Sequence, residues 1–338
     1  MPVLKSAYRA VFPFTNPHIQ TFTAYFLSAF RAAVYNFLNL NKASLTKYRE
    51  RINTLDHDFI EIDCFIHREY KAKSLALVCH GLEASSNGFS EICIRETLYR
   101  SGLDVVMMNY RGCSGIPNYL LKSYHSGKTE DLDLVIEHIL SQKKYSLYQN
   151  IYLVGNSIGA NIILKYLGEK SYSLNPRIKK AFALSAPIDL AASSRAMAKS
   201  KNRLYMDKFL SSLKKKLKAK AKLFTEEINL RGFDKIKNFF DFDSKFTAPL
   251  NGFNSADDYW LKASAKAYLT KITIPTYILS SADDTFLTKS CYPFREAKLN
   301  PNVFFECTAD GGHSAFLEFR ADSFSYAERK MAEFALFD

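Results

Sequence analysis

Apolar residues along this chain gather in short runs that alternate with longer segments of helical periodicity. Seven runs read as strands: residues 59–66, 75–79, 105–109, 151–154, 181–185, 276–280 and 303–307. Several are unbroken rather than alternating, as in Leu-Ala-Leu-Val-Cys from residue 75 and Val-Val-Met-Met from residue 105. Strands buried on both faces read that way. Between them, residues 90–100, 129–142, 159–167 and 289–298 fit amphipathic helices. Strands separated by helices predict an α/β fold, with a mostly parallel central sheet and helices on both faces.

Two stretches depart from this rhythm. Between Pro187 and Ile274 no convincing strand occurs, and Leu204, Phe209, Leu213 and Leu217 recur at helical spacing among lysines. That pattern predicts a helical cap, at about 188–272, inserted between consecutive strands. Residues 1–55 read as an N-terminal extension to a single domain that takes in all 338 residues. Within the extension, the run from Phe22 to Phe30 ends at Arg31. A membrane-spanning helix needs about 20 mostly apolar residues, so this one is too short to span; it is expected to pack on the body of the protein, with lying on a membrane surface as the alternative.

Chemistry enters at Gly155-Asn156-Ser157-Ile158-Gly159, between a strand-like run and a helix-like one. This is the GxSxG elbow in its proper context. Its glycines permit a sharp turn that exposes the Ser157 hydroxyl, and the following helix N-terminus favours developing negative charge. His80-Gly81-Leu82 follows the run at 75–79. A loop in that position supplies one backbone N–H to an oxyanion, and the residue after the nucleophile supplies the other. Leu82 and Ile158 are therefore the candidate donors, and His80 reads as a residue that shapes the loop.

A serine hydroxyl needs a base. Of seven histidines, His313 in Asp310-Gly311-Gly312-His313 follows the last strand, where open α/β sheets carry catalysis. His18, His57, His67 and His138 have no such position, and His125 is a second candidate. The orienting acid is expected between serine and histidine. Asp283-Asp284 lies there, just past the run at 276–280, and spacing alone does not separate the two carboxylates. The chemistry requires no metal and no organic cofactor.

These residues belong to a wider set of motifs. Asn16-Pro17-His18-Ile19-Gln20-Thr21, Asn109-Tyr110-Arg111-Gly112-Cys113-Ser114-Gly115, Ser123-Tyr124-His125-Ser126-Gly127 with Thr129-Glu130-Asp131, the elbow, Asp283-Asp284-Thr285-Phe286 and Gly311-Gly312-His313 span residues 16–313. Together the chain resembles the YheT-like branch of the α/β-hydrolases, whose relatives include yeast medium-chain alcohol acyltransferases and animal abhydrolase-domain phospholipases. The resemblance implies a Ser157–His313–Asp284 triad, because the second acid of the pair serves in that branch. It also implies importance for Arg111 and His125. Arg111 is expected to brace its loop rather than meet an acidic substrate group. Thr285 stands where the branch commonly has proline, and the lysine-rich cap has no match among these motifs.

The implied activity is hydrolysis of carboxylic esters, short- to medium-chain or lipid-like. The rival readings are an alcohol O-acyltransferase with the same triad and a non-catalytic binding or membrane-associated member of the fold. Composition bears mainly on partners. The net charge is +12, but residues 195–222 hold eleven Lys or Arg and one acid, leaving about +2 elsewhere. Such a stretch fits peripheral contact with an anionic membrane through the cap, beside the plainer expectation of a solvated helix face. No nucleic-acid recognition motif accompanies it. Six scattered cysteines without a CxxC pair, and an N-terminus without a signal-peptide layout, point to a reducing, cytoplasmic setting.

Overall fold

The computed structural model describes residues 2–40, 45–320 and 325–336. Its centre is a nine-stranded sheet: β1 (Val3–Leu4), β2 (Leu45–Asn53), β3 (Phe59–His67), β4 (Ser74–Cys79), β5 (Asp104–Asn109), β6 (Asn150–Asn156), β7 (Ile178–Leu184), β8 (Thr276–Ser281) and β9 (Val303–Thr308). The spatial order is β1-β9-β8-β7-β6-β4-β5-β3-β2. Only β3 runs against its neighbours.

The unbroken apolar runs are explained by what covers the sheet. On β4, Leu75, Leu77 and Cys79 join one core with Leu132, Ile136, Ile163 and Leu167. These partners come from α3 (Thr129–Ser141) and α4 (Ile158–Lys170). Ala76 and Val78 join a second core with Ile94 and Leu98 of α2 (Phe89–Arg100) and with Met331 of the C-terminal helix Tyr326–Leu336. With apolar partners on both faces, the strand has no polar alternate positions.

Two stretches that the sequence pattern assigns to an N-terminal extension add strands to this sheet. β1 pairs with β9, and β2 forms the opposite edge against β3. β2 reads Leu-Thr-Lys-Tyr-Arg-Glu-Arg-Ile-Asn, and only Ile52 is buried. A charged edge strand of this kind resists pairing with other chains, and charge also hides its alternation. Between β1 and β2 runs α1 (Pro17–Leu40), against α2. The expected helix at 289–298 splits into a short turn, Lys289–Cys291, and a helix, Phe294–Leu299. Pro293 lies at the break, where it cannot donate to a continuing helix.

Between β7 and β8 the chain is helical, with α5 (Leu190–Met197), α6 (Arg203–Ala221) and α7 (Ala256–Ala263) as its main pieces. This segment has an apolar core of its own, built from Tyr205, Met206, Leu210, Leu217, Phe233, Phe242 and Phe246, and it includes Phe286 beside Asp284.

Candidate active site

Ser157 sits between β6 and α4 with φ 53° and ψ −117°. A serine in this sparsely populated region is strained, and surrounding packing must hold it. The flanking glycines allow that packing. A Cβ on Gly155 would lie 2.5 Å from Ala160, and one on Gly159 would lie 2.2 Å from the Cys79 carbonyl oxygen. The start of α4 is thus pressed against the end of β4, which brings the His80-Gly81-Leu82 loop beside the serine. A Cβ on Gly81 would stand 3.7 Å from the Ser157 Cβ.

His313 follows β9 and reaches the same point. Its Nε2 is 3.0 Å from Ser157 Oγ, and its Nδ1 is 2.8 Å from Asp284 Oδ2. The geometry separates the adjacent acids. Asp283 accepts the Gly312 N–H at 3.0 Å and so steadies the histidine loop, whereas Asp284 holds the imidazole. Two further contacts hold this residue: the His313 backbone N–H donates to Thr21 Oγ1 at 3.1 Å, and Phe286 stacks on the ring at 4.2 Å.

Glu91 and Ser314 are positioning residues without a sequence signal. The buried Glu91 carboxylate accepts the Gly81 N–H at 3.3 Å and the Asn156 amide at 3.2 Å. Asn156 in turn accepts the Ser314 hydroxyl at 2.8 Å. One polar chain thereby joins the Leu82 loop, the elbow and the histidine loop. Asn156, the variable second position of the elbow, gives no hint of this in a pattern that constrains only the two glycines and the serine.

The remaining candidates fall into place. His80 is fully buried, donates from Nδ1 to the Gly81 carbonyl and accepts the Tyr110 N–H at Nε2. Burial pushes its imidazole down to about 3, so it is neutral. Arg111 grips both oxygens of Asp131 at 2.8 and 2.9 Å and also meets Asp56 and Asp58, as a brace does. His125 accepts the Gly127 N–H at Nδ1 and is pushed down to about 3 by burial. Three cap lysines turn inward. Lys214 donates to the Ile236 carbonyl, Lys216 to Glu83, and Lys220 to the 118–123 loop.

Ser157, Leu82, Ile158 and His313 line a cavity of about 620 Å³. The cap closes over it with Met197, Phe209, Leu213 and Phe242. The arrangement offers a hydroxyl beside an imidazole, and a mostly apolar space next to both.

A family model described as the alpha/beta hydrolase fold matches residues 77–319. The chain belongs to the α/β-hydrolase fold family. Within that family it is 31% identical to the Escherichia coli protein YheT, named an esterase, over 90% of this chain and 85% of YheT. It is 30% identical to the phospholipase ABHD3 of Bos taurus, over 81% of this chain and 67% of ABHD3. These likenesses place it in the YheT-like branch. Among solved structures, an esterase of Pyrococcus furiosus superposes with a TM-score of 0.58 at 16% identity, covering 86% of this chain and 90% of that one. At that identity the likeness speaks for the fold alone.

Proposed function

We propose that this α/β-hydrolase is a carboxylic ester hydrolase that works through Ser157, His313 and Asp284. The observation that carries the reading is the unbroken line from Ser157 Oγ to His313 Nε2 and from His313 Nδ1 to Asp284, at the edge of a mostly apolar cavity. Ser157 Oγ attacks the ester carbonyl as His313 Nε2 takes its proton, and Asp284 stabilises the imidazolium. The N–H groups of Leu82 and Ile158 receive the oxyanion. His313 then protonates the departing alcohol, leaving an acyl group on Ser157. Water, deprotonated by the same imidazole, releases the acid.

The volume and lining of the cavity suit acyl chains of short to medium length or lipid-like esters. The similarity to proteins named esterase and phospholipase supports this substrate class. Ser157→Ala is expected to lower turnover of p-nitrophenyl butyrate by about three orders of magnitude or more, with unchanged circular dichroism. A variant rate within tenfold of the parent would overturn the assignment.

A further inference from the structure

Helix α1 has two unlike faces. The inner one is committed: the Ser28 carbonyl faces the Cys93 thiol of α2, Ala32 is buried, and Arg31 grips Glu328 at 2.9 and 2.6 Å. On the outer face Ile19, Phe26, Phe30 and Phe37 follow at intervals of seven, four and seven residues, the repeat of one line along a helix. Phe26, Phe30 and Phe37 are each 68% exposed, and Val34 widens the line. From residue 19 to residue 37 the line runs about 27 Å. Solvent-facing phenylalanines in such a row mark a surface that meets something apolar.

Charge around the row indicates what that is. α1 contains no acidic residue, and its one cation, Arg31, points inward. Exposed Lys208 holds its Nζ 3.8 Å from the centre of the Tyr25 ring, and Arg100, half-exposed and paired with the buried Glu96 at 2.8 Å, lies over Tyr35. Lys201, also exposed, is close enough to His18 to push its imidazole down, behind the larger effect of burial. Apolar face and cationic border together match an anionic lipid surface. A second copy is the poorer fit, because a two-fold pairing through α1 would set these cations against each other with no acid on the helix to offset them. Among the described residues no helix is long and apolar enough to cross a membrane, so α1 would lie along the surface.

The same helix borders the site. Thr21 accepts the His313 N–H, and Phe22 stacks on Tyr205, which meets Phe286 beside the imidazole. We propose that the Phe26–Phe30–Phe37 face of α1 docks on an anionic lipid surface and so brings the active site to lipid-like esters. The docking stands on α1 alone, and its link to substrate rests on the ester-hydrolase reading.

The test is flotation of the full chain with vesicles of phosphatidylcholine and phosphatidylglycerol, against pure phosphatidylcholine. Binding is expected to be at least tenfold stronger with the anionic lipid and to weaken in 0.5 M salt. The triple variant Phe26→Asp, Phe30→Asp, Phe37→Asp is expected to lose binding at least tenfold while turning over soluble p-nitrophenyl acetate within twofold of the parent. Phe30→Gln alone, losing binding about threefold, carries the comparison if the triple variant does not fold. No flotation by the parent, or equal flotation by the variants, overturns the proposal. So does a parent dimer, dispersed by the variants, that ignores vesicles. Flotation by a parent without esterase turnover would leave the docking standing and sink the hydrolase reading, whereas turnover without flotation does the reverse.

Discussion

His80 is sealed at the carboxyl end of β4, and its neutral form is the one the fold accepts. Its pKa falls from the ordinary 6.5 to about 3, so between those values the unfolded chain binds a proton that the folded chain does not. Stability therefore drops as pH falls below 6.5, by about 1.4 kcal/mol per pH unit from this residue. His125 carries the same sign and adds to the slope. Urea midpoints at pH 7, 6 and 5 should show a flatter decline for His80→Gln than for the parent, and parallel declines would remove His80 as the source. At this scale the site was partly legible. Ser157 and His313 announce themselves because glycines and strand ends frame them. Asp283 and Asp284 do not separate by position, since a turn aims neighbouring side chains in directions that spacing does not encode. In the sequence it was the family resemblance that chose Asp284. Glu91 lies in an ordinary helix and acquires its contacts to Gly81 and Asn156 only through tertiary packing.

Helix α6 reads from the sequence as basic and partly amphipathic, with its lysines on a solvated face, yet the helix turns its lysines both ways. Lys215 and Lys218 are exposed. Lys220 is buried and donates to Asn118 Oδ1, to Ser123 Oγ and to the carbonyls of Leu120, Leu121 and Lys122, at 2.8–3.2 Å. Burial lowers its pKa to about 8, which leaves it mostly charged at neutral pH and tying the cap to the loop below. Lys220→Met removes the donor to Asn118 Oδ1, Ser123 Oγ and the Leu121 carbonyl, whereas the Leu120 and Lys122 carbonyls still accept from Asn118 Nδ2. It should destabilise the protein by about 1–3 kcal/mol and hasten proteolysis within residues 199–250, read by urea unfolding and by trypsin digestion. Protection equal to the parent would show that Lys220 does not hold the cap. Composition reports how many lysines a segment has, and only the helix's rotation against its partners decides which are free. β2 illustrates the opposite case, for its alternation is real but written in Lys, Arg and Glu, residues that strand patterns discount.

Across the whole molecule the α/β class was the most legible feature, because strands covered on both faces must be apolar without interruption. The closure of the fold was less so. Arg31 in α1 and Glu328 in the C-terminal helix meet across almost the length of the chain, with side chains 9% and 12% exposed. No local signal marks such a pair. Arg31→Met should cost about 3–5 kcal/mol by leaving the Glu328 charge enclosed, seen as a lower urea midpoint; a midpoint like the parent's would mean that the pair contributes nothing net. The cap enters the chain after Ser157 and leaves it before Asp284. Its ends are anchored on β7 and β8, neighbours in the sheet. Mutation can therefore remodel the chamber walls across that whole excursion without lengthening or shifting the strands that lead to Ser157, Asp284 and His313. A lineage built this way is free to change its diet while keeping its teeth.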